Sequence, residues 1–405
     1  MSILFFFFSM LSIQADTLSL AETETLAIQA DWGLKRSEQL VAAQREAIIS
    51  QQQLPDPKLK LAAANLPVDS LRTGQEPMTQ GIIALQQSLP TLNTLALKGE
   101  QAQAQVKATQ AQQHIQQRQL LQKVRTLWLE VYEAEKLVEL LTQKRQLYQE
   151  LLPIAKSAYK VGHGQQQDIV RVKILLSKLT DKENQLQGQN QAKRHQLAQW
   201  LGQHSQRPWP AALPEQFILL PDIPESALSQ HPELTQLQAQ HQVSQKAVAL
   251  AREAYRPSFN LEVSYSWRDS YTDMLSFGVV ADLPIFQEKR QDKRLAAQQK
   301  QQQADLFALQ DRQAALGAQQ AAYWQQARSQ YKRIQHYQRQ ILPELKQITA
   351  LVIADYAAGL SDFNALMQAR EAEITAAEEL VQLQTALARS ITVLLYLTQE
   401  ADDAH

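Results

Sequence analysis

The chain has 405 residues and a formal net charge of −1, so it offers no broad basic surface of the kind nucleic acid requires. It contains no cysteine, which excludes a disulfide, a thiolate metal site, a cysteine nucleophile and a lipidated cysteine within this sequence. Its hydrophobic share is ordinary, but glutamine is over-used between Gln101 and Gln122 and between Gln298 and Gln347, which favours solvated helix without adding charge.

Ile3 to Ile13, with Phe5 to Phe8 at its centre, is too short to cross a bilayer as a helix, which takes roughly 20 apolar residues. Ala15 stands at a plausible cleavage point, so residues 1–15 are expected to be a secretory signal, although no basic residue precedes the apolar run. No later segment is apolar enough over sufficient length to be expected as a spanning helix. From Leu18 to Gln53 the residues Leu20, Leu26, Trp32, Leu40 and Ile48 recur at near-helical spacing. Leu54-Pro55-Asp56-Pro57 stops that helix, because proline removes a donor and forces extended backbone before its ring. Lys58–Asn65 and Thr79–Leu89 are expected as strands around a polar loop holding Asp69, Gly74 and Pro77. Ile82 and Ile83 are adjacent, so this pair alternates less cleanly than a later one.

Pro90 to Leu152 has no internal proline and one glycine, Gly99, and as a continuous helix would reach roughly 90 Å. Pro153 is expected to end or kink it, before Gly162 reverses the chain. Residues 208–231 crowd prolines around Trp209 and Phe217, which marks a linker, and Pro232 can open a helix running to Tyr255. Phe259, Leu261, Val263, Tyr265 and Trp267 then alternate with polar residues. After Arg268–Asp273, Leu275, Phe277, Val279, Ala281 and Leu283 occupy one face of a second strand. A membrane β-strand requires such alternation over about 10 residues, but a half-buried soluble hairpin shows it too. Tyr265, Trp267 and Tyr271 near the loop favour the membrane boundary. Ile285 to Leu342 is the second long helical stretch, with Pro343 expected to end or kink it.

The chain repeats itself. Tyr159-Lys-Val-Gly162 returns as Tyr356-Ala-Ala-Gly359, Pro57 as Pro257 and Pro90 as Pro284, at offsets of 197, 200 and 194 positions. A nearly constant offset implies a tandem unit of two strands and long helices, with a first repeat over 16–207, the linker 208–231 and a second repeat over 232–405. Gly162 and Gly359 sit where each helix must turn back, and glycine accepts the left-handed backbone that such a turn needs.

No catalytic constellation is present: there is no phosphate-binding glycine loop, no His-Glu-x-x-His and no Gly-x-Ser-x-Gly. The eight histidines are scattered, and each is expected on a solvated surface. The tail Asp402-Asp403-Ala404-His405 could hold a metal weakly, though a frayed end is the plainer expectation. The chain is not expected to be an enzyme or to need a cofactor.

In this order of elements the sequence resembles the TolC family of outer-membrane efflux channels. The resemblance rests on Tyr159-Lys-Val-Gly162 with Asp168 downstream, on Tyr356-Ala-Ala-Gly359, and on Leu54-Pro-Asp-Pro-Lys-Leu-Lys-Leu to Asn65-Leu-Pro-Val-Asp69 with Pro77-Met78-Thr79. The last stretch is similar to the CzcC/CusC-type metal-efflux branch. The resemblance implies an α+β membrane protein in a Gram-negative outer membrane, a homotrimer whose β-barrel takes four strands per chain and continues as a coiled-coil helical tunnel in the periplasm. It also implies passive export of solute, heavy-metal cations before drugs or other small molecules, delivered by an inner-membrane resistance-nodulation-division pump through a periplasmic adaptor. Leu261, Val263, Phe277 and Val279 would then face lipid. Gly162, Gly359, Tyr159 and Leu360 would form the adaptor-docking tips, and Asp168 with Tyr356 a gate latch. The family's acidic ring would fall at Ala365 and Gln368, so it is absent as such, with Asp362 close by at another helical angle. A periplasmic coiled-coil scaffold with two ordinary packed hairpins is the alternative of a different class.

Overall fold

The structure, a computed structural model, describes residues 17–162, 165–222 and 225–398. The expected leader and the acidic tail lie outside the described residues. Two helices, α1 (Leu20–Ala30) and α2 (Trp32–Gln51), lead into β1 (Lys58–Ala64) and β2 (Gln80–Leu89). The helices α3 (Thr94–Lys160) and α4 (Gln166–Leu201) follow, then 3-10 turns through the proline-rich segment. The second half contains α5 (Pro232–Glu253), β3 (Ser258–Trp267), β4 (Met274–Asp282), α6 (Gln291–His336), α7 (Leu342–Ala357) and α8 (Phe363–Thr398). The expected order of elements is therefore observed in both copies.

Contacts divide the chain into two compact units, each assembled from both repeats. One holds Gly33–Ile115 and Gln230–Ala315; the other holds Met1–Trp32, Gln116–Ser229 and Leu316–His405. The first unit contains the sheet, four antiparallel strands in the order β1-β2-β3-β4, so both edge strands lack a partner on one side. Ion pairs tie its helices together, Lys246 to Glu100 and Arg312 to Glu233. His231, expected on a solvated surface, is instead buried, where its Nδ1 accepts from the Glu233 amide and caps α5 ahead of Pro232.

The second unit is built on a cluster of aromatic residues. Trp128 stacks on Tyr132 and contacts Trp209, both at 5.9 Å between ring centroids, and the Arg194 guanidinium lies 4.5 Å over the Trp209 ring. Trp209 donates through Nε1 to the Trp128 carbonyl, while Arg194 donates to the Ser205 and Arg207 carbonyls at 2.6 and 2.9 Å. Trp209 and Phe217 are both buried, so the proline-rich segment is docked onto this core rather than left as a free tether.

Two expectations change. Helix α8 does contain a stretch apolar and long enough to cross a membrane, with a mean hydropathy of 1.4. It is a core helix: Leu387, Ala388, Ile391, Leu394 and Leu397 are essentially inaccessible. The two prolines also behave differently. Pro153 lies inside α3 without ending it, whereas Pro343 follows a π-helical turn, Tyr337–Ile341, in which the Leu342 amide reaches back to the Tyr337 carbonyl. Proline lacks the amide for the next helical bond and its ring crowds a carbonyl four residues back, and the wider π turn relieves both effects.

Gly162 and Gly359 have φ of +81° and +73°. Each amide donates to the carbonyl of its repeat tyrosine, Gly162 to Tyr159 at 3.2 Å and Gly359 to Tyr356 at 3.1 Å, and Leu360 donates to Asp355 at 2.8 Å. In the second copy these bonds complete a Schellman cap. A Cβ at Gly359 would meet no atom within 4 Å, so only backbone strain opposes a side chain there. Gly359→Val is expected to lower stability by about 1–2 kcal/mol. Gly188→Ala, in an uncrowded helical position of α4, should raise it by about 1 kcal/mol. Thermal unfolding of the detergent-solubilised protein checks the opposite signs.

Candidate functional site

Strand register assigns every residue of the sheet to a face. Leu59, Leu85, Val263 and Phe277 lie in one row across the four strands, and Leu61, Ile83, Tyr265 and Leu275 in the next. Leu261 pairs with Val279 on the same face. The opposite face carries Lys58, Gln86, Glu262 and Gly278 in one row and Lys60, Ala84, Ser264 and Ser276 in another. The adjacent isoleucines are thereby sorted: Ile83 joins the apolar face, and Ile82 pairs with Ala62 and Ser266 on the polar one.

On the two central strands, β2 and β3, the apolar face is the more exposed one, and along β4 both faces are exposed. Leu261, Val263, Val279 and Phe277 are 41%, 43%, 66% and 76% exposed, while Ala84 and Ser266 on the polar face are buried. A water-soluble hairpin does the reverse and packs its apolar side away from solvent. The Trp267 ring covers Gly81 so closely that a Cβ at position 81 would come within 2.0 Å of it. The loops at this end join: Thr73 donates to Asp269 at 3.0 Å, and Asn65, at φ +56°, donates to the Met78 carbonyl at 3.0 Å.

The two glycine turns lie in the other unit, and the exposed side chains around them include the apolar Tyr159, Val161 and Leu360, the last 80% exposed, beside the charged Lys160, Asp355 and Asp362. Behind the turns a buried cluster of Leu141, Tyr148, Leu151, Val172, Leu179 and Met367 joins α3, α4 and α8. Tyr356 packs edge-on against Phe363, with ring centroids 6.2 Å apart. Burial first, and the Asp168 charge second, push its phenol above the usual tyrosine range, so the expected latch residues are brought within electrostatic reach.

No hydrogen bond joins Asp168 and Tyr356 among the described residues. The Asp168 carboxylate instead accepts from the Gln165 amide at 3.2 Å and closes a capping box at the start of α4. Near the turns a bond between the two hairpins runs from Arg171 Nη1 to Asn364 Oδ1, at 2.7 Å, and farther along the helices Lys144 pairs with Glu371 and Arg389 with Glu133. Sequence reasoning missed the Arg171–Asn364 pair. Arg171 lies one helical turn beyond Asp168 on α4, and Asn364 follows Asp362, whose carboxylate caps α8 by accepting from the Ala365 amide at 2.7 Å. Among the described residues no cluster of three metal-ligating side chains occurs.

The family described as outer membrane efflux protein matches residues 223–398 of this chain. No curated protein matches it significantly. Solved structures similar to it include the outer-membrane channel OprN, with a TM-score of 0.80 at 16% identity over 93% of this chain and 89% of that one. CusC gives 0.81 at 15% identity over 94% and 92%. The CmeC outer-membrane channel of Campylobacter jejuni gives 0.78 at 15% identity over 97% and 92%. The chain thus has the TolC-like fold of outer-membrane efflux channels, helical with a four-stranded sheet and built from a tandem repeat.

Tyr148 is inaccessible, and its hydroxyl has no hydrogen-bond partner among the described residues. Burial, followed by the charges of Glu371 and Glu378, pushes its pKa far above the ordinary value of 10.0. The unfolded phenol ionises first, so the stability this group contributes is complete below about pH 10 and is lost as pH rises through the folded value. Unfolding temperature should fall as pH rises above about 10, and less steeply in Tyr148→Phe, which also sheds the unsatisfied hydroxyl.

Proposed function

We propose that this chain is an outer-membrane channel of a tripartite efflux system, a member of the family whose match covers its second half. The observation that carries the reading is the exposed apolar face of a sheet with two open edges. Unpaired backbone groups cannot face lipid, so the edges must pair. In a β1-β2-β3-β4 antiparallel order, β4 of one copy meets β1 of the next antiparallel as well, which lets identical chains close head to tail. Eight strands is a practical minimum for a barrel, so at least two copies are needed; a homotrimer giving twelve strands is the assembly that the resemblance supplies. Leu261, Val263, Phe277 and Val279 then face outer-membrane lipid, and the polar rows line the lumen.

Solute leaves passively, delivered by an inner-membrane pump through a periplasmic adaptor. The adaptor docks on the turns at Gly162 and Gly359, where Tyr159 and Leu360 offer exposed apolar contact. The Leu54–Asp69 stretch favours heavy-metal cations as cargo. A specific observation favours a second reading, small organic molecules: the polar face of the sheet sets Lys58 and Lys60 against Glu262 and Asp282, a balanced lining with no acidic excess to concentrate cations. A strain lacking the gene, challenged with divalent metals and with hydrophobic drugs, separates the two.

The placement is tested by Val263→Arg, which should cost about 2–4 kcal/mol near a bilayer midplane and reduce the amount recovered in outer membranes. The wild-type protein should require detergent for extraction; recovery from the soluble fraction would mean a periplasmic scaffold instead.

Closure of the tips rests on the Arg171–Asn364 bond and, we infer, on a bond that the Tyr356 phenol donates to Asp168 in the closed assembly. A hydrogen bond to a charged group contributes about 1.5–3 kcal/mol. Conductance in planar bilayers should therefore rise in Arg171→Ala and in Tyr356→Phe, which keeps the ring and deletes the donor. Unchanged conductance in both, with assembly intact, removes the latch.

A further inference from the structure

The sheet ends at the Ser258–Asp282 rung, where the Ser258 hydroxyl donates to the Asp282 carboxylate at 2.7 Å. Directly beyond it lies a cleft of about 610 Å³ between the starts of α3 and α6 and the end of α5. Four cations line it: Lys98, Arg256, Arg290 and Arg294. Only Arg256 is paired, to Glu253 at 3.3 Å. The side chains of Lys98, Arg290 and Arg294 have no hydrogen-bond or ion-pair partner among the described residues, while the two acidic residues of the cleft, Glu253 and Asp282, are already engaged. The site therefore carries uncompensated positive charge.

Its rim is apolar and in register with the exposed strand face. Leu275, Phe277, Val279 and Ala281 alternate along β4, and the same parity continues through Leu283, which lines the cleft, to Ile285. Leu283, Ile285 and Phe286 are 66%, 71% and 72% exposed, although no strand pairing holds them. Unpaired cations beside an exposed apolar rim match a molecule with a phosphate at one end and acyl chains at the other. An inorganic anion would have no use for the rim.

We propose that this cleft binds the headgroup of an anionic phospholipid, with phosphate against Lys98, Arg290 and Arg294 and acyl chains over Leu283 and Phe286. The inference rests on the membrane reading of the sheet. It gives the junction between strands and helices a fixed depth in the leaflet, set by charge as well as by apolar area.

The test uses the full-length protein purified in detergent. Native mass spectrometry with phosphatidylglycerol should show retained lipid, at least about tenfold more than with phosphatidylcholine, and the preference should vanish in the variant Lys98→Ala/Arg290→Ala/Arg294→Ala. Arg290→Lys/Arg294→Lys keeps the charge and should keep the lipid. Equal retention of phosphatidylglycerol by the triple alanine variant overturns the site. Thermal protection by inorganic phosphate equal to that by phosphatidylglycerol assigns it to an aqueous anion and overturns the lipid. If the triple variant does not assemble, photoreactive phosphatidylglycerol on the wild type decides: crosslinks at Leu283 or Phe286 are expected, and crosslinks confined to other segments overturn the proposal. Protein that fractionates with the outer membrane but shows no lipid preference removes this inference alone, whereas protein found soluble removes the channel reading too.

Discussion

A sheet that exposes its apolar face and leaves two edges unpaired cannot be a finished structure. In water the face draws chains together, and in lipid the bare amides and carbonyls of β1 and β4 cost several kcal/mol each. Both demands are met at once when copies join edge to edge and close, because closure pairs the edges and turns the apolar rows outward together. The alternation along β3 and β4 fixes which rows those are, since a slip of one residue would carry Val263 and Phe277 to the polar face and Glu262 to the apolar one.

The helices face a different problem, that of ending a very long element cleanly. Each copy solves it with a glycine at positive φ whose amide bonds the carbonyl of the repeat tyrosine. The positive φ explains the glycine in both motifs, whereas the tyrosine contributes only its carbonyl to the turn, which any residue could supply. The copies then diverge. Helix α3 runs through Pro153 unbroken, while the second copy inserts a π turn ahead of Pro343. There the Tyr337 phenol bonds Glu379 on α8, so the interrupted helix is braced by its neighbour. Duplication supplied the architecture, and local changes made the two hairpins mechanically unequal.

Much of this was legible in the sequence because it depends on period and punctuation. Alternation at two-residue spacing located β3 and β4 to within a residue, prolines bracketed the sheet, and the twofold Tyr–x–x–Gly exposed the repeat. What was not legible depends on distance between segments far apart in the chain. Nothing in the local sequence pairs Arg171 with Asn364, because a hydrogen bond across 193 positions follows from how α4 and α8 pack. The same holds for Asp168, for which the family resemblance implied a latch while its carboxylate accepts from the Gln165 amide. His231 looked like any other scattered histidine until its neighbours buried it. No later segment was expected to be long and apolar enough to span a membrane, yet α8 contains one, and composition cannot distinguish a helix sheathed in protein from one in lipid.

On the proposed function the polar strand face lines the conduit, and its chemistry bears on how such a conduit can work. A pore that bound its solute tightly would retain it, because release has to follow entry without any energy input at this step. Residues on the polar strand face are short or balanced in charge, with Ser264, Ser276 and Gly278 beside Lys60 and Glu262, and they provide no deep well for either ion sign. On the proposed function, discrimination among solutes belongs to the pump that loads the channel. What the channel itself must supply is a closed barrel wall and a tip that opens on demand. Those two tasks fall on the sheet edges and on the polar ties between hairpins, the places where this chain leaves backbone groups or side chains in need of a partner.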